Sequence, residues 1–200
     1  MIVVSDLFTR TVRSNKKIKL MELTMIKKIT KFGVIGATLM MLSGCLGMPK
    51  DVQPISGFDL NRYLGEWYEI ARLDHSFERG LSQVSATYSV NDDGSVKVIN
   101  KGFSAEDNEW SEALGKAKFV NQPDEGYLKV SFFGPFYGSY VIFELDKENY
   151  EYAFVSGPDL DYLWLLSRNK DLDPKVIERF KDTAKSLGFD TDKLIIVDQK

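Results

Sequence analysis

Cysteine and histidine are nearly absent: the 200 residues hold one of each, Cys45 and His75. A lone cysteine excludes an intramolecular disulfide and any cysteine-based metal cluster. A lone histidine leaves a Ser-His-Asp constellation one base to use, and no Gly-x-Ser-x-Gly turn accompanies it. Phosphate loops, metal-ligand clusters and cofactor motifs are missing too, so no cofactor and no metal are expected. The apolar run Phe32–Leu42 has 11 residues, short of the roughly 20 that a membrane-spanning helix needs. Positive charge is scarce in the body of the chain. Residues 1–44 hold eight of the 26 Lys/Arg and two of the 29 Asp/Glu, leaving 18 basic against 27 acidic residues in 45–200. A body of that sign repels phosphate backbones, which excludes nucleic acid as a partner. With 44% hydrophobic and 28% charged residues, the chain is neither disordered nor collagen-like. Its length fits one domain with an appendage.

What the N-terminal third does have is an ordered set of signals. Lys27, Lys28 and Lys31 form a basic start, and Phe32–Leu42 has the length of a secretory apolar core. Ser43 and Gly44 then lead into Cys45. Leu42-Ser43-Gly44-Cys45 resembles the lipobox of bacterial lipoproteins. The resemblance implies a signal peptide over 25–44, cleavage before Cys45, and acyl chains on its thiol and new N-terminus. Each buried CH₂ contributes about 0.8 kcal/mol, so several chains hold a protein on a membrane where one holds marginally. Leu46 rather than Asp after the cysteine implies sorting to the cell outer membrane, facing the periplasm. Residues 1–24 have scattered charges and no place in such a signal, so they read as an upstream over-extension ahead of Met25.

The segment 45–56, with two prolines, reads as a lipidated linker, and the folded domain as 57–198. Short β-rich runs recur there: 66–73, 84–90, 96–104, 111–120, 127–133, 139–145, 150–156 and 162–168. Turn signals such as Asp93-Gly94 separate them. About eight strands with short links predict an antiparallel up-and-down barrel or a sandwich. One helix follows, capped by Asp173, opened by Pro174 and stopped by Gly188. Its apolar face, Val176, Ile177, Phe180, Ala184 and Leu187, is expected to pack outside the barrel, and a short strand at 194–197 to extend the sheet.

Alternate residues of a barrel strand face inward. That parity groups Val84, Ala86, Tyr88 and Val90; Val96, Val98 and Asn100; Leu128, Val130 and Phe132; and Tyr162, Trp164 and Leu166. In 139–145, Tyr140/Ile142 and Val141/Phe143 are both apolar and the inward pair stays open. The small residues Ala86, Gly115 and Ala117 leave space and favour a cavity over a solid core. Asp92, Asp93, Asp159 and Asp161 fall in turns, where Asp bonds its own backbone.

"GEWYEIARL" at 65–73 is similar to the Gly-x-Trp opening of lipocalins, with Gly65 and Trp67 as the matching residues. Arg168, closing "LWLLSR", matches the arginine that packs over that tryptophan in the family. "DHSFERG", "VINKGF" and "KVSFFGPFYG" resemble the bacterial outer-membrane lipoprotein branch, related to apolipoprotein D. The resemblance covers roughly 57–198 and selects the all-β fold: an eight-stranded antiparallel up-and-down calyx with one C-terminal helix outside. It implies a lipid-binding protein, not an enzyme, taking fatty acids, lysophospholipids or similar amphiphiles for storage or transport. It assigns ligand contact to Ala86, Tyr88, Val98, Asn100, Ala117, Val130, Phe132, Tyr140, Tyr162 and Trp164. Gly65, Trp67 and Arg168 take a structural role at the closed end, and His75 reads as a polar loop residue near the mouth. The expected partners are a small hydrophobic ligand and, through Cys45, the membrane; a homodimer is compatible with the sequence. The alternatives are an enzyme acting on a calyx-bound lipid or isoprenoid, and a solid barrel serving as an envelope scaffold.

Overall fold

The computed structural model describes residues 46–200. The signal at 25–44, the lipidation site Cys45 and the segment 1–24 lie outside them. Eight strands form the barrel: β1 Gly65–Arg72, β2 Leu81–Val90, β3 Val96–Ser104, β4 Glu109–Phe119, β5 Tyr127–Phe133, β6 Phe136–Leu145, β7 Tyr152–Ser156 and β8 Leu163–Ser167. Each is antiparallel to the next, and β1 pairs with both β2 and β8, which closes the sheet. Closure removes free edges and fixes which face of every strand looks inward. The sequence-based boundaries hold to within a few residues. β2 and β6 begin three residues earlier than expected, because their mouth ends pair across β3 and β5.

A four-residue helix, α1 (Leu60–Tyr63), precedes β1 and was not expected. One turn is too short to show periodicity, although its cap is legible afterwards: the Asp59 carboxylate accepts from the Asn61 N–H. The second helix, α2 (Pro174–Ser186), stands where expected, with Asp173 accepting from the Lys175 N–H. Gly188 ends it at φ +92°, a left-handed conformation that suits glycine. Phe180 and Ala184 are fully buried, and the Phe180 ring meets Phe154 of β7 edge-on at 5.0 Å.

The stretch read as a linker lies against the barrel. Val52 is buried. The Ile55 N–H donates to the Ile142 carbonyl at 2.9 Å, and Gly126 N–H returns a bond to Ile55 at 2.9 Å. The C-terminal tail does similar work on the other side. Above Tyr68 and Ser85 the ladder between β1 and β2 ends, and β9 (Ile195–Ile196) takes over beside β1. Beyond it the Gln199 side chain donates to the carbonyls of Glu69 and Val84 at 2.8 and 2.9 Å. Backbone groups left unpaired by the split are satisfied there.

Two apolar layers result. One fills the space between the outer barrel wall and α2 and contains Ile70, Phe154, Leu163, Leu165, Phe180 and Ala184. The other lies inside the barrel and contains Trp67, Tyr88, Val96, Val98, Ala117 and Ile142. The open parity of β6 is thereby resolved: Tyr140 and Ile142 face in, Val141 and Phe143 face out. Val90, grouped with the inward set, is half exposed, because β2 passes the barrel floor before reaching it.

Candidate functional site

The floor of the barrel is built on Trp67. The ring is completely buried, and its indole N–H donates to the Tyr63 carbonyl at 2.8 Å. Tyr63 stacks on it at 4.6 Å, so α1 acts as a plug. From β8's end, the Arg168 guanidinium lies 4.0 Å above the indole and donates to the carbonyls of Glu66, Arg62 and Leu64 at 2.7–2.9 Å. The last two belong to the end of α1 and its cap, groups that a helix terminus leaves without partners. Gly65 sits at φ +94°, and a Cβ there would press on Arg168 Nη1 at 3.4 Å. The three residues assigned to the closed end meet there.

Above the floor the wall is apolar with sparse polar groups. Of the ten residues expected to contact ligand, nine line the lumen: Ala86, Tyr88, Val98, Asn100, Ala117, Val130, Phe132, Tyr140 and Trp164. Tyr162 does not. It lies just before β8, outside the alternation, and stacks at the rim 5.8 Å from His75. Gly115 leaves no empty space, because Phe132 covers it so closely that a Cβ would sit 2.8 Å from the ring. The hydroxyls of Tyr63, Tyr140 and Tyr88 form a chain, with oxygens 2.7 and 2.9 Å apart. Burial holds all three well above the ordinary tyrosine pKa, so they are neutral hydroxyls.

The wall encloses a hollow. Counted as room for the centres of water-sized spheres it is about 100 Å³, several times the ~10–15 Å³ one water requires. That is below the ~300–1,000 Å³ of typical small-molecule sites, so the lumen is narrow.

The mouth holds a polar cluster that sequence reasoning missed. Glu69 of β1 and Glu78 of the following loop both line the lumen and are both buried. Arg72 donates to Glu69 Oε1 at 2.6 Å and to the carbonyls of Glu78 and Leu81 at 2.9 and 3.1 Å, folding the loop over the opening. Trp164 Nε1 donates to Glu78 Oε2 at 3.2 Å. Burial and the neighbouring Glu78 charge push the Glu69 carboxyl well above the usual carboxylate range, with Arg72 opposing them. Burial raises Glu78 too, against its bonds from Trp164 and the Arg72 charge. His75 is pushed down to about 4 by burial and then by the Arg72 charge. It is therefore neutral at neutral pH, and its 3.2 Å approach to Glu78 is no ion pair. A signal for Glu69 existed: it stands two residues after Trp67 and shares its face. Glu78 lies in a loop, where no periodicity points.

Among the described residues no group of three or more His, Cys, Asp or Glu side chains is placed to hold a metal. Asp93 accepts from the Ser95 N–H and Asp159 from the Asp161 N–H, as turn formers do.

Known proteins agree with this geometry. The family described as "Lipocalin-like domain" matches residues 58–199. "Outer membrane lipoprotein Blc" of Vibrio cholerae is 62% identical over 160 residues, 80% of this chain and 94% of that protein. Its namesake in Escherichia coli K12 is 51% identical over 151 residues, covering 76% and 85%. Mouse apolipoprotein D is 36% identical over 149 residues, covering 71% and 77%. The solved structure of insecticyanin from the tobacco hornworm superposes with a TM-score of 0.60 at 24% identity, over 76% of this chain and 86% of that one. At that identity it speaks for the fold alone.

Proposed function

The chain belongs to the lipocalin family, and from that premise we propose that it carries fatty acids, lysophospholipids or similar single-chain amphiphiles in its lumen. Its place is the cell outer membrane, as with the relatives named for it. The tether through an acylated Cys45, the periplasm-facing orientation, and the storage or transport of lipids for the envelope are parts of the proposal.

One observation carries the reading. Ala86, Val130, Phe132, Tyr140 and Trp164 face the barrel interior yet are only partly buried. In a solid core they would be closed off like Phe154 and Leu165, which have no exposure. Apolar wall left in contact with open space gains free energy, about 25 cal/mol per Å², when an alkyl chain covers it. The narrow lumen suits an unbranched chain. The tail runs toward the tyrosine cluster, and the head stays at the mouth.

Native mass spectrometry of the purified domain, with organic extraction of the bound fraction, tests this. A co-purifying single-chain lipid at one copy per protein is the expected result. A domain that stays empty after incubation with such lipids would refute the carrier reading.

A further inference from the structure

The mouth has a charge pattern that bears on which head group it takes. Among the described residues that line the lumen, the charged side chains are Glu69 and Glu78. Among the described residues no Lys, Arg or His lines it. Both Arg72 Nη atoms are already committed, one to the Glu69 carboxylate and one to backbone carbonyls. A second feature points at the same spot. His75 is more than nine-tenths buried, both its ring nitrogens lack a hydrogen bond, and Nε2 is aimed at Glu78 from 3.2 Å.

We propose that Glu69 and Glu78 form a head-group subsite at the calyx mouth that selects amphiphiles bearing an ammonium group over free carboxylates. The inference rests on the carrier reading above and names the head chemistry that reading leaves open. Two adjoining carboxyls beside one arginine balance charge only when they keep one proton between them. The direction of their titration agrees: burial raises both, the Glu78 charge raises Glu69 further, and a hydrogen bond with Glu69 partly offsets the rise at Glu78. An entering ammonium takes that proton's place. It donates to the carboxylates and leaves the cluster neutral, and the proton goes to solvent. A carboxylate ligand faces the reverse balance, since it enters only by holding a proton of its own. The other ionisable groups around the pair stay silent near neutral pH. His75 titrates at about 4, Tyr88 on β2 is held neutral by burial, and Asp74 and Arg79 on the loop are exposed and paired with each other.

The test is a chain-matched trio: an alkylammonium, a monoacylglycerol and a fatty-acid anion, titrated calorimetrically against the whole domain. The ammonium is expected to bind at least roughly tenfold tighter than the carboxylate at neutral pH. Its affinity rises with pH as the proton held by the raised carboxyls is released, while that of the carboxylate falls. Glu78→Gln and Glu69→Gln should each abolish the difference while keeping monoacylglycerol binding. An ethanolamine-headed lysophospholipid against a glycerol-headed one separates the zwitterionic source from a free amine. If the carboxylate binds as tightly as the ammonium to the wild-type domain, the subsite is refuted without any variant. A preference that survives both substitutions refutes it as well. If none of the three binds, the carrier reading itself fails.

Discussion

The outside of this barrel beneath α2 is more tightly closed than its inside. Phe154, Leu163 and Leu165 on the outer face, with Phe180 and Ala184 of α2 packed on them, have no exposure. The inward-facing Ala86, Val130, Phe132 and Tyr140 remain partly open. A barrel with a solid core would show the reverse order. The stability of the fold therefore rests on two regions, the outer layer under α2 and the aromatic floor around Trp67. The wall between them is left free to meet a guest.

The contrast is sharpest where a large ring is removed from a closed region. Trp67→Ala and Phe180→Ala should each destabilise the domain by about 3–5 kcal/mol, the usual range for a buried aromatic. Denaturant unfolding checks this, and an unchanged midpoint for either would misplace that residue. A matched insertion probes the difference itself. Ala184→Trp forces an indole into the filled outer layer and should cost at least about 1–3 kcal/mol. Ala117→Trp, the same change on the lumen wall, should leave unfolding nearly unaltered. Equal losses from the two would mean that the inside is as full as the outside.

Arg168→Ala removes three bonds to backbone carbonyls and the stacking on Trp67. Charged hydrogen bonds of this kind are worth about 1.5–3 kcal/mol, and a loss near 2 kcal/mol is expected by thermal melting. The smallest effect concerns pH. The folded-state pKa of His75, about 4, lies below its unfolded value, so the folded state resists a proton that the unfolded chain accepts. Its contribution is lost as pH falls from about 6.5 toward 4. The raised carboxyls of Glu69 and Glu78 slope the other way: their neutral form favours folding at low pH, and that benefit fades as pH rises through their raised values. His75→Gln should therefore gain on wild type as the solution is acidified. A constant difference across that window would place His75 in solvent.

Much of this arrangement is legible in the sequence because it is carried by regular features. Gly65, Trp67 and Arg168 form a spaced signature, and the lumen wall follows strand alternation from Ala86 to Trp164. Alternation fails where strands end, which is why Tyr162 and Val90 leave the inward set. It is silent in β6, where both faces are apolar because one meets the lumen and the other the outer layer. The acidic mouth was hidden for another reason. Glu78 reaches the lumen from a loop held by Arg72, and such a contact exists only once the chain has folded. The C-terminal split-filling by Gln199 is equally a product of tertiary geometry.

The central claim is that the lumen is kept open for a guest, and one titration addresses it most directly. A single-chain amphiphile is added to the wild-type domain and to Ala117→Trp, with folding of both verified by circular dichroism. The account predicts saturable binding of one equivalent to the wild type and at least roughly tenfold weaker binding to the variant, at equal stability. Undiminished affinity in the variant, or no binding by the wild type, would contradict it.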